Sequence, residues 1–226
     1  MFILGDIHGN FSTIVNFCRK NISKEPLNLI QVGDFGAGFR KDFLDDMLYL
    51  NDVLNEYNVT LYVIRGNHDN PKYFNGEYTW SNLKLLKDYT TLTIEDKNIL
   101  LIGGAISIDR GNRIEGSSWW EDEKFVLNDD EIKNINNINI VITHTAPNFI
   151  HPTEFNGIVK FYIQYDKNLS TELINERNDL TVLYEKLIKN NEINHWFYGH
   201  FHSYNTETYN NTTFTLLNVD EFYNLN

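Results

Sequence analysis

The chain alternates short apolar runs with the polar residues that end them, and this pattern constrains the fold more than any other feature. Six runs are rich in β-branched and aromatic residues: Phe2–Leu4, Leu27–Val32, Val59–Ile64, Ile99–Gly103, Ile138–Thr143 and Trp196–Tyr198. Runs of this length bounded by Gly, Asp, Asn or His predict buried strands. Helical periodicity occurs between them, at Phe11–Lys20, Phe43–Tyr57 and Glu172–Lys189. The order β-α-β-α-β at the start predicts a layered α/β fold.

Two further segments indicate that the sheet is mixed. The runs Thr91–Ile94 and Ile99–Ile102 flank a polar tetrapeptide, which predicts a hairpin, and Thr213–Val219 predicts a last strand. There is no repeat, low-complexity linker or break in composition along the chain. The 226 residues are within the range of one α/β domain, so we predict a single domain over residues 1–226.

Charge and cysteine content limit the binding partners and the cellular compartment that we expect for this chain. The 19 Lys and Arg residues against 31 Asp and Glu residues give a net charge of −12, which opposes binding to long nucleic acids or to an anionic membrane. No apolar run is long enough to span a bilayer, and no export signal precedes the first strand. Because Cys18 is the only cysteine, the chain cannot form an internal disulfide and does not need an oxidising compartment. We therefore expect a cytoplasmic protein.

Polar residues that could bind a metal ion follow five of the predicted strands. The carboxyl ends of strands are where open α/β sheets bind ligands. Imidazole and carboxylate groups together favour Mn, Fe, Zn, Co or Ni over Mg or Ca alone. Seven ligands are more than one tetrahedral ion needs, but they fit two ions that share a bridging carboxylate. The candidates are Asp6, His8, Asp34, Asn67, His144, His200 and His202.

These motifs occur in the order D-x-H, G-D, G-N-H-D, a lone H and G-H-x-H between positions 6 and 202. This series resembles the calcineurin-like metallophosphoesterase superfamily. The resemblance implies a four-layer α-β-β-α sandwich with mixed sheets and a hydrolase of phosphoric esters that uses a metal-bridging hydroxide as nucleophile. It implies two divalent transition metal ions, for which we expect Mn²⁺. One would be held by Asp6, His8, Asp34 and His202, and the other by Asp34, Asn67, His144 and His200.

Three residues in or next to the third motif are candidates for catalysis. His68 adjoins the ligand Asn67 but stands outside the ligand set, so we predict that it is the general acid for the leaving oxygen; the alternative is a hydrogen-bonding role beside the ligands. Asp69 either orients His68 or points elsewhere. Arg65 matches the Arg-Gly-Asn-His of phosphatases and is the candidate phosphate clamp, because a guanidinium can hold phosphate oxygens bidentately. Its alternative role is an ion pair with an acidic neighbour.

The sequence departs from the protein Ser/Thr phosphatase branch at two positions. Ala37 and Gly38 stand where that branch has an Asp that orients the catalytic histidine and an Arg that binds phosphate. This departure weakens an assignment as a protein phosphatase.

The segment Gly103–Arg110 and the residues after it resemble a stretch of small bacterial and phage metallophosphoesterases. Arg110 and Arg113 could therefore bind the substrate phosphate in place of the missing Arg. Trp119 and Trp120 could stack on a base or ring, although packing of the loop onto the core is the interpretation we favour.

The predicted function is that of a phosphomonoesterase acting on a phosphoprotein or a nucleotide, with a phosphorylated small molecule or a phosphoprotein as its partner. Two alternatives stay open. One is a phosphodiesterase for cyclic nucleotides or short nucleic acids, since both classes share the same metals. The other is a metal-binding interaction module without turnover. The sequence leaves the oligomeric state open.

Overall fold

Two β-sheets form the centre of the molecule in the computed structural model, which describes residues 1–22 and 25–225. In spatial order, the first sheet contains β11 (Phe222–Asn224), β1 (Phe2–Leu4), β2 (Leu27–Gln31), β3 (Val59–Val63) and β4 (Leu83–Leu85). Strands β1 to β4 run parallel, whereas β11 pairs with β1 in the antiparallel direction.

The second sheet has six strands in the described part of the chain. Its central strands β6, β7, β8 and β10 run parallel, and β5 and β9 add an antiparallel strand at each edge. In spatial order the strands are β5 (Thr90–Ile94), β6 (Lys97–Ile102), β7 (Ile140–Thr143), β8 (His195–Tyr198), β10 (Thr212–Leu216) and β9 (Asn205–Tyr209). Both sheets are therefore mixed, as predicted.

Helices cover the outer face of each sheet. They are α1 (Ser12–Lys20), α2 (Phe43–Glu56), α3 (Asp129–Ile132), α4 (Gly157–Ile163) and α5 (Leu169–Leu187). Apolar residues of α1 and α2 pack on the first sheet, and those of α5 pack on the second. The predicted four-layer α-β-β-α sandwich is thus confirmed.

Alternation along the strands divides the core between these layers. Ile3 is fully buried between the two sheets, in a cluster with Ile142 and Phe197 of the second sheet. Its neighbour Leu4 points the other way and packs with Ile14 of α1. Because successive side chains of a strand face opposite sides, a short continuous apolar run can serve two cores at once.

The six predicted strands and three predicted helices are confirmed, with boundaries shifted by a few residues. The hairpin is also confirmed, but its turn is only Glu95 and Asp96, whose φ values of 50° and 63° suit a type I′ turn. The predicted strand Thr213–Val219 is confirmed as β10, but it is not the last strand, because β11 follows it. Strands β4, β9 and β11 and helices α3 and α4 were not predicted. Strand β9 is an edge strand of Asn, Thr, Glu and Tyr, so it lacks the apolar run that marks a buried strand.

No helix among the described residues is long and apolar enough to cross a membrane. The predicted domain of residues 1–226 includes residues 23, 24 and 226, which lie outside the described ranges. Its extent stays a prediction.

The two sheets bring their polar strand ends to one place. His144 follows β7 of the second sheet, and its Nδ1 donates a hydrogen bond to the carbonyl of Val32 at the end of β2, at 2.8 Å. His144 Nε2 lies 3.1 Å from an oxygen of Asp34, which follows the same strand β2. The site therefore lies where the carboxyl ends of strands from both sheets meet.

Candidate metal centre

The turns that carry the candidate ligands have an unusual backbone. Four of the ligands adopt positive φ values, with 46° at His8, 56° at Asp34, 70° at His200 and 48° at His202. Residues other than glycine seldom occupy this region, and such conformations tend to occur at functional sites. The left-handed turns aim consecutive polar groups at one point rather than at alternate faces of a sheet.

The first group of ligand atoms belongs to Asp6, His8, Asp34 and His202, and these atoms all lie within 4.8 Å of one another. The Nε2 atoms of His8 and His202 are 2.9 Å apart. His202 Nε2 is 3.4 Å from Asp6 Oδ2, and His8 Nδ1 is 3.8 Å from Asp34 Oδ2. Both carboxylates are buried, whereas both histidines are exposed at the surface.

The second group shares Asp34 with the first. Ligand atoms of Asp34, His144 and His200 lie within 4.8 Å of one another. Asn67 joins them, because its Oδ1 is 3.1 Å from His144 Nε2. Its amide nitrogen donates to Ser107 Oγ at 3.1 Å, which leaves the amide oxygen directed toward the group. The structure thus brings together all seven predicted ligands, in two groups with Asp34 in common.

These residues fit a pair of divalent cations. Asp6 Oδ1 is buried and has no hydrogen-bond partner among the described residues. Oxygens of Asp34 and Asn67 both lie 3.1 Å from the same nitrogen of His144. Because His144 Nδ1 donates to a carbonyl, the lone pair of Nε2 in the neutral ring faces these oxygens. A set of imidazole nitrogens with carboxylate and amide oxygens is suited to transition metal ions.

Burial and the close packing of carboxylates and imidazoles shift the pKa values of these residues. Burial raises the pKa of Asp6. Burial acts in the same sense on Asp34, but the adjacent His144 holds the pKa of Asp34 well below its usual range. Burial alone would lower the pKa of His144, yet the Asp34 carboxylate raises the pKa of His144 to about 9. A cation requires the neutral imidazole, so its binding would release the proton from His144.

Two glycines have no side chain where two of the candidate ligands approach the backbone closely. A Cβ atom on Gly66 would lie 2.2 Å from Asp34 Oδ1, and one on Gly199 would lie 2.1 Å from Asp6 Oδ1. These distances are far below van der Waals contact. The glycines in the third and last motifs are therefore needed for the close approach of the Asp34 and Asp6 carboxylates.

His68 lies beside the two ligand groups without belonging to either. Its backbone N–H donates to Asp34 Oδ1 at 2.7 Å, and its ring stacks on Phe39 with the centroids 5.6 Å apart. Arg113 Nη2 lies 2.8 Å from His68 Nε2. Because arginine can only donate, that nitrogen accepts, and the ring is neutral in this contact. Burial, with a contribution from Arg113, lowers the pKa of His68 to about 4.

Arg113 reaches the site from the segment between β6 and β7. Its Nε is 2.8 Å from Asp109 Oδ1, and its Nη1 donates to the carbonyl of Ser118 at 3.2 Å. These contacts fix the guanidinium beside His68, at the wall of a cavity that adjoins the ligand groups. Its placement suits the predicted contact with a substrate phosphate.

The structure corrects the predicted phosphate contacts of Arg65. Its side chain is buried, and its Nε and Nη2 donate to Asp88 Oδ2 at 3.0 and 2.7 Å. The remaining donors bind the carbonyls of residues 122–124. Arg65 therefore fastens the loop before α3 to the end of β3, as a buried form of the ion pair considered as its alternative role.

Arg110 is corrected in the same way. It pairs with Asp166 at 2.7 Å and with Glu172, and it does not line the cavity beside the ligands. The pair with Asp166 and Glu172 joins the segment after β6 to the start of α5. Its role is therefore to hold that segment in place.

Asp69 does not orient His68. Its Oδ1 accepts the backbone N–H groups of Gly36 and Ala37, both at 2.7 Å. Its Oδ2 accepts those of Phe35 at 3.1 Å and Gly66 at 2.7 Å. Burial raises the pKa of Asp69 to about 7, while these amide donors act in the opposite direction. Asp69 joins the loop after β2 to the loop after β3 and so holds Asp34 and Asn67 in register.

We expect Asp69→Asn to lower the free energy of unfolding by about 2–4 kcal/mol, because the new NH₂ group would face two buried amide donors and leave them without an acceptor. Urea unfolding in a chelator measures this loss without a contribution from bound metal. Asp52→Asn on the exposed face of α2 makes the same change of charge and should leave stability within about 0.5 kcal/mol of the parent. Normal stability with lost turnover would instead restore the orienting role.

Both tryptophans of the loop pack against the protein. Trp120 is buried and meets Phe39 edge to face at 5.1 Å, and Trp119 Nε1 donates to Glu123 at 2.9 Å. Neither lines the cavity at the ligand groups. The favoured interpretation, packing of the loop onto the core, is therefore the one that the structure supports.

A cavity of about 530 Å³ opens beside the ligand groups. Asp34, Asn67, His200 and His202 contribute to one part of its wall, together with His68 and Arg113. Helix α4 and the loop before it supply another part. The sequence predicts no helix or strand in this segment. Pocket residues such as Phe155 and Tyr162 were therefore missed, since no pattern in that stretch distinguishes them from surface residues.

Comparison with known proteins places the chain in a family. The family model for calcineurin-like phosphoesterases matches residues 1–204. The solved structure of TT1561 from Thermus thermophilus is 12% identical, with 97% of this chain and 89% of that chain covered and a TM-score of 0.53. A phosphopantetheinyl hydrolase from Mycobacterium tuberculosis is also 12% identical, with the same coverage and a TM-score of 0.50. A comparison with curated proteins gives no match.

The chain belongs to the calcineurin-like phosphoesterase family, whose members are metal-dependent phosphoesterases. The two solved structures agree in fold, which at this level of identity is all that their likeness shows.

Proposed function

We propose that the chain is a dimetal-dependent phosphomonoesterase. The observation that carries this proposal is the pair of ligand groups that share Asp34, with His68 and Arg113 beside them at one cavity. One cation would be held by Asp6, His8, Asp34 and His202, and the other by Asp34, Asn67, His144 and His200. We propose Mn²⁺ for both positions, because the mixed nitrogen and oxygen donors suit it; Fe, Zn, Co and Ni are the other ions to compare.

Each protein group has a distinct role in this proposal. When bound, two cations lower the pKa of coordinated water and neutralise charge that develops on phosphoryl oxygens. Arg113 donates to a phosphate oxygen from the cavity wall, and its pair with Asp109 keeps it there. His68 donates a proton to the leaving oxygen. Asp69 acts at a distance from the substrate by holding the loops of Asp34 and Asn67.

A phosphodiesterase is the second candidate function. The observation in its favour is the size of the cavity, about 530 Å³, which leaves room for a second ester group beside the ligand groups. A monoester carries one more negative charge than a diester. Arg113 together with two cations would favour that extra charge, and for this reason the monoesterase is the first candidate.

The proposed substrate is a phosphorylated small molecule or a phosphoprotein. The proposed location is the cytoplasm, which suits a chain whose single cysteine, Cys18, is buried and unpaired.

Hydrolysis of p-nitrophenyl phosphate and of bis-p-nitrophenyl phosphate tests the proposal, since both release the same leaving group. With Mn²⁺ present we expect kcat/KM to be roughly 10-fold or more higher for the monoester, which corresponds to about 1.4 kcal/mol. The variant Asp34→Asn gives the blank rate, and the same assay ranks the other metal ions.

A preference for the diester would favour the second candidate. If neither ester is hydrolysed although Mn²⁺ raises the thermal unfolding midpoint, the proposed activity is contradicted. A metal-binding interaction module without turnover is then the favoured function.

A further inference from the structure

The cavity wall contains a continuous apolar part that the metal ligands do not supply. It comes from the loop before α4, from α4 itself, from the start of α5 and from the segments after β6 and β8. The apolar residues are Ile108, Pro152, Phe155, Ile158, Val159, Tyr162, Leu173 and Phe201. Half-buried and exposed apolar groups in a cavity beside a catalytic site are surfaces that a ligand can cover.

This wall is anchored by a hydrophobic cluster of its own. Leu169 and Leu173 of α5 are buried with Ile106, and Phe155, Val159 and Tyr162 pack against them. The cluster is separate from the three larger ones that hold the sheets and outer helices together. Helix α4 is therefore seated on α5 by side chains that also face the cavity.

Three charged side chains of the cavity wall are engaged by other groups of the protein: those of Asp109, Glu176 and Arg177. Glu176 accepts the backbone N–H groups of Ile106 and Phe125, at 3.3 and 3.1 Å. Asp109 is paired with Arg113. Arg177 donates to the backbone carbonyls of Ala146, Pro147, Ile150 and Pro152, and its guanidinium carbon lies over the Phe201 ring, 5.4 Å from the centroid.

Four other residues of the wall carry polar groups, namely Thr145, Glu154, Asn156 and Tyr162. Asn156 uses its side-chain oxygen to accept the first N–H groups of α4, from Ile158 and Val159, both at 3.0 Å. Glu154 is exposed to solvent. Among the described residues the wall thus offers a substrate mainly apolar contact.

We propose that the natural substrate is a small phosphoester whose leaving group is uncharged and apolar, and that this group packs against Phe155, Ile158 and Val159. The inference rests on the proposed phosphoesterase function and specifies its substrate class. The cavity of about 530 Å³ has the size of a small-molecule site. A sugar or a second charged group packed against Phe155, Ile158 and Val159 would lose hydrogen bonds to water and face apolar side chains in return.

A homologous series of alkyl monophosphates tests the inference, because the leaving alcohols differ in length but little in acidity. With the Mn²⁺-loaded protein, we expect kcat/KM to rise about fourfold for each methylene that becomes buried. Hexyl phosphate should exceed methyl phosphate by roughly 30-fold, since only part of the chain is expected to be covered. 5-Carboxypentyl phosphate, which places a negative charge at the far end, should lose most of that gain, because its carboxylate would meet apolar side chains and the like charge of Glu154.

Two isoleucine variants assign the effect to the wall. Ile158→Asn should lower the ratio of hexyl to methyl phosphate by roughly fivefold, since it places a polar group in the apolar wall. Ile158 is 62% exposed, so the substitution does not open the core. Ile174→Asn on α5 is the matched control, because Ile174 is 50% exposed and outside the cavity. Its ratio should equal that of the parent.

Binding of methylphosphonate and hexylphosphonate, measured by calorimetry with Mn²⁺ present, gives a readout that does not depend on turnover. Tighter binding of the hexyl compound supports the inference. Equal affinities, or a ratio of rates near one, would overturn it while hydrolysis of p-nitrophenyl phosphate still supported the proposed function. Absence of all hydrolysis would contradict the proposed function, and the phosphonate affinities would still decide the apolar site.

Discussion

Replacement of Asp34 by Asn is expected to lower Mn²⁺-dependent kcat/KM by roughly 10³-fold or more, since the stabilisation lost with a metal-bound charge is several kcal/mol. Asp34 is the one side chain common to both ligand groups. It is 1% exposed and faces His144 Nε2 at 3.1 Å with one oxygen and His8 Nδ1 at 3.8 Å with the other. An amide of the same shape carries no charge and has only one oxygen for these contacts.

The same substitution should remove the effect of metal on stability. A cation at 100 times its dissociation constant stabilises the parent by about 2.7 kcal/mol, which appears as a higher unfolding midpoint. A chelator should abolish this increase together with activity, and added Mn²⁺ should restore both. In Asp34→Asn we expect most of the increase to be missing, because both ligand groups lose their shared carboxylate.

Asp179→Asn is the matched control for charge. Asp179 is exposed on α5, outside the cavity, so its variant should keep both the activity and the response to Mn²⁺. A folded Asp34→Asn protein that retained more than a tenth of the parent activity would contradict the shared role of this carboxylate.

The meeting of the seven candidate ligands at one place could be predicted, because their positions follow from the strands. Apolar runs that end in Asp, Asn or His place those residues at the carboxyl ends of strands, and two facing sheets bring the ends together. The short spacing of Asp6 and His8, or of His200 and His202, then needs only a left-handed turn, which the structure contains. Residue type and position in the chain were sufficient for these seven side chains.

The direction in which a side chain points could not be predicted for residues next to the candidate ligands. Arg65 precedes the third motif and Asp69 is its last residue, but neighbours in a turn point to different sides, and the partners of both side chains come from distant segments. Arg65 meets Asp88 and the carbonyls of residues 122–124, while Asp69 meets amides of residues 35–37. Arg110 finds its partners Asp166 and Glu172 more than fifty residues away. A resemblance in sequence does not contain these long-range contacts.

Helix α4 was missed for a different reason. It has only seven residues, and Lys160 is the one charged residue among them, so apolar side chains occur on all sides and no periodic pattern marks a helix. Its order comes from Asn156 at its start and from the packing of Val159 and Tyr162 on α5. The part of the cavity wall against which we propose that the leaving group packs therefore had the weakest sequence signal.

Replacement of His68 by Ala is expected to slow the hydrolysis of an alkyl phosphate by roughly 10²- to 10⁴-fold, the usual contribution of a general acid. The loss should be much smaller for p-nitrophenyl phosphate, because p-nitrophenolate is a weak base that leaves without a proton. His68 belongs to neither ligand group, so the stabilisation by Mn²⁺ should persist in the variant.

Whether His68 carries the proton that it would donate depends on whether a phosphate is bound beside it. Without substrate, Arg113 donates to His68 Nε2, and burial lowers the pKa of the ring to about 4. A bound phosphate adds negative charge beside the ring and offers Arg113 another acceptor, and both changes favour the protonated histidine. The alkyl and p-nitrophenyl esters should therefore respond differently to His68→Ala, whereas His151→Ala, at an exposed histidine outside the cavity, should affect neither. Equal losses for both esters would assign His68 to positioning instead, and undiminished rates would remove it from the reaction.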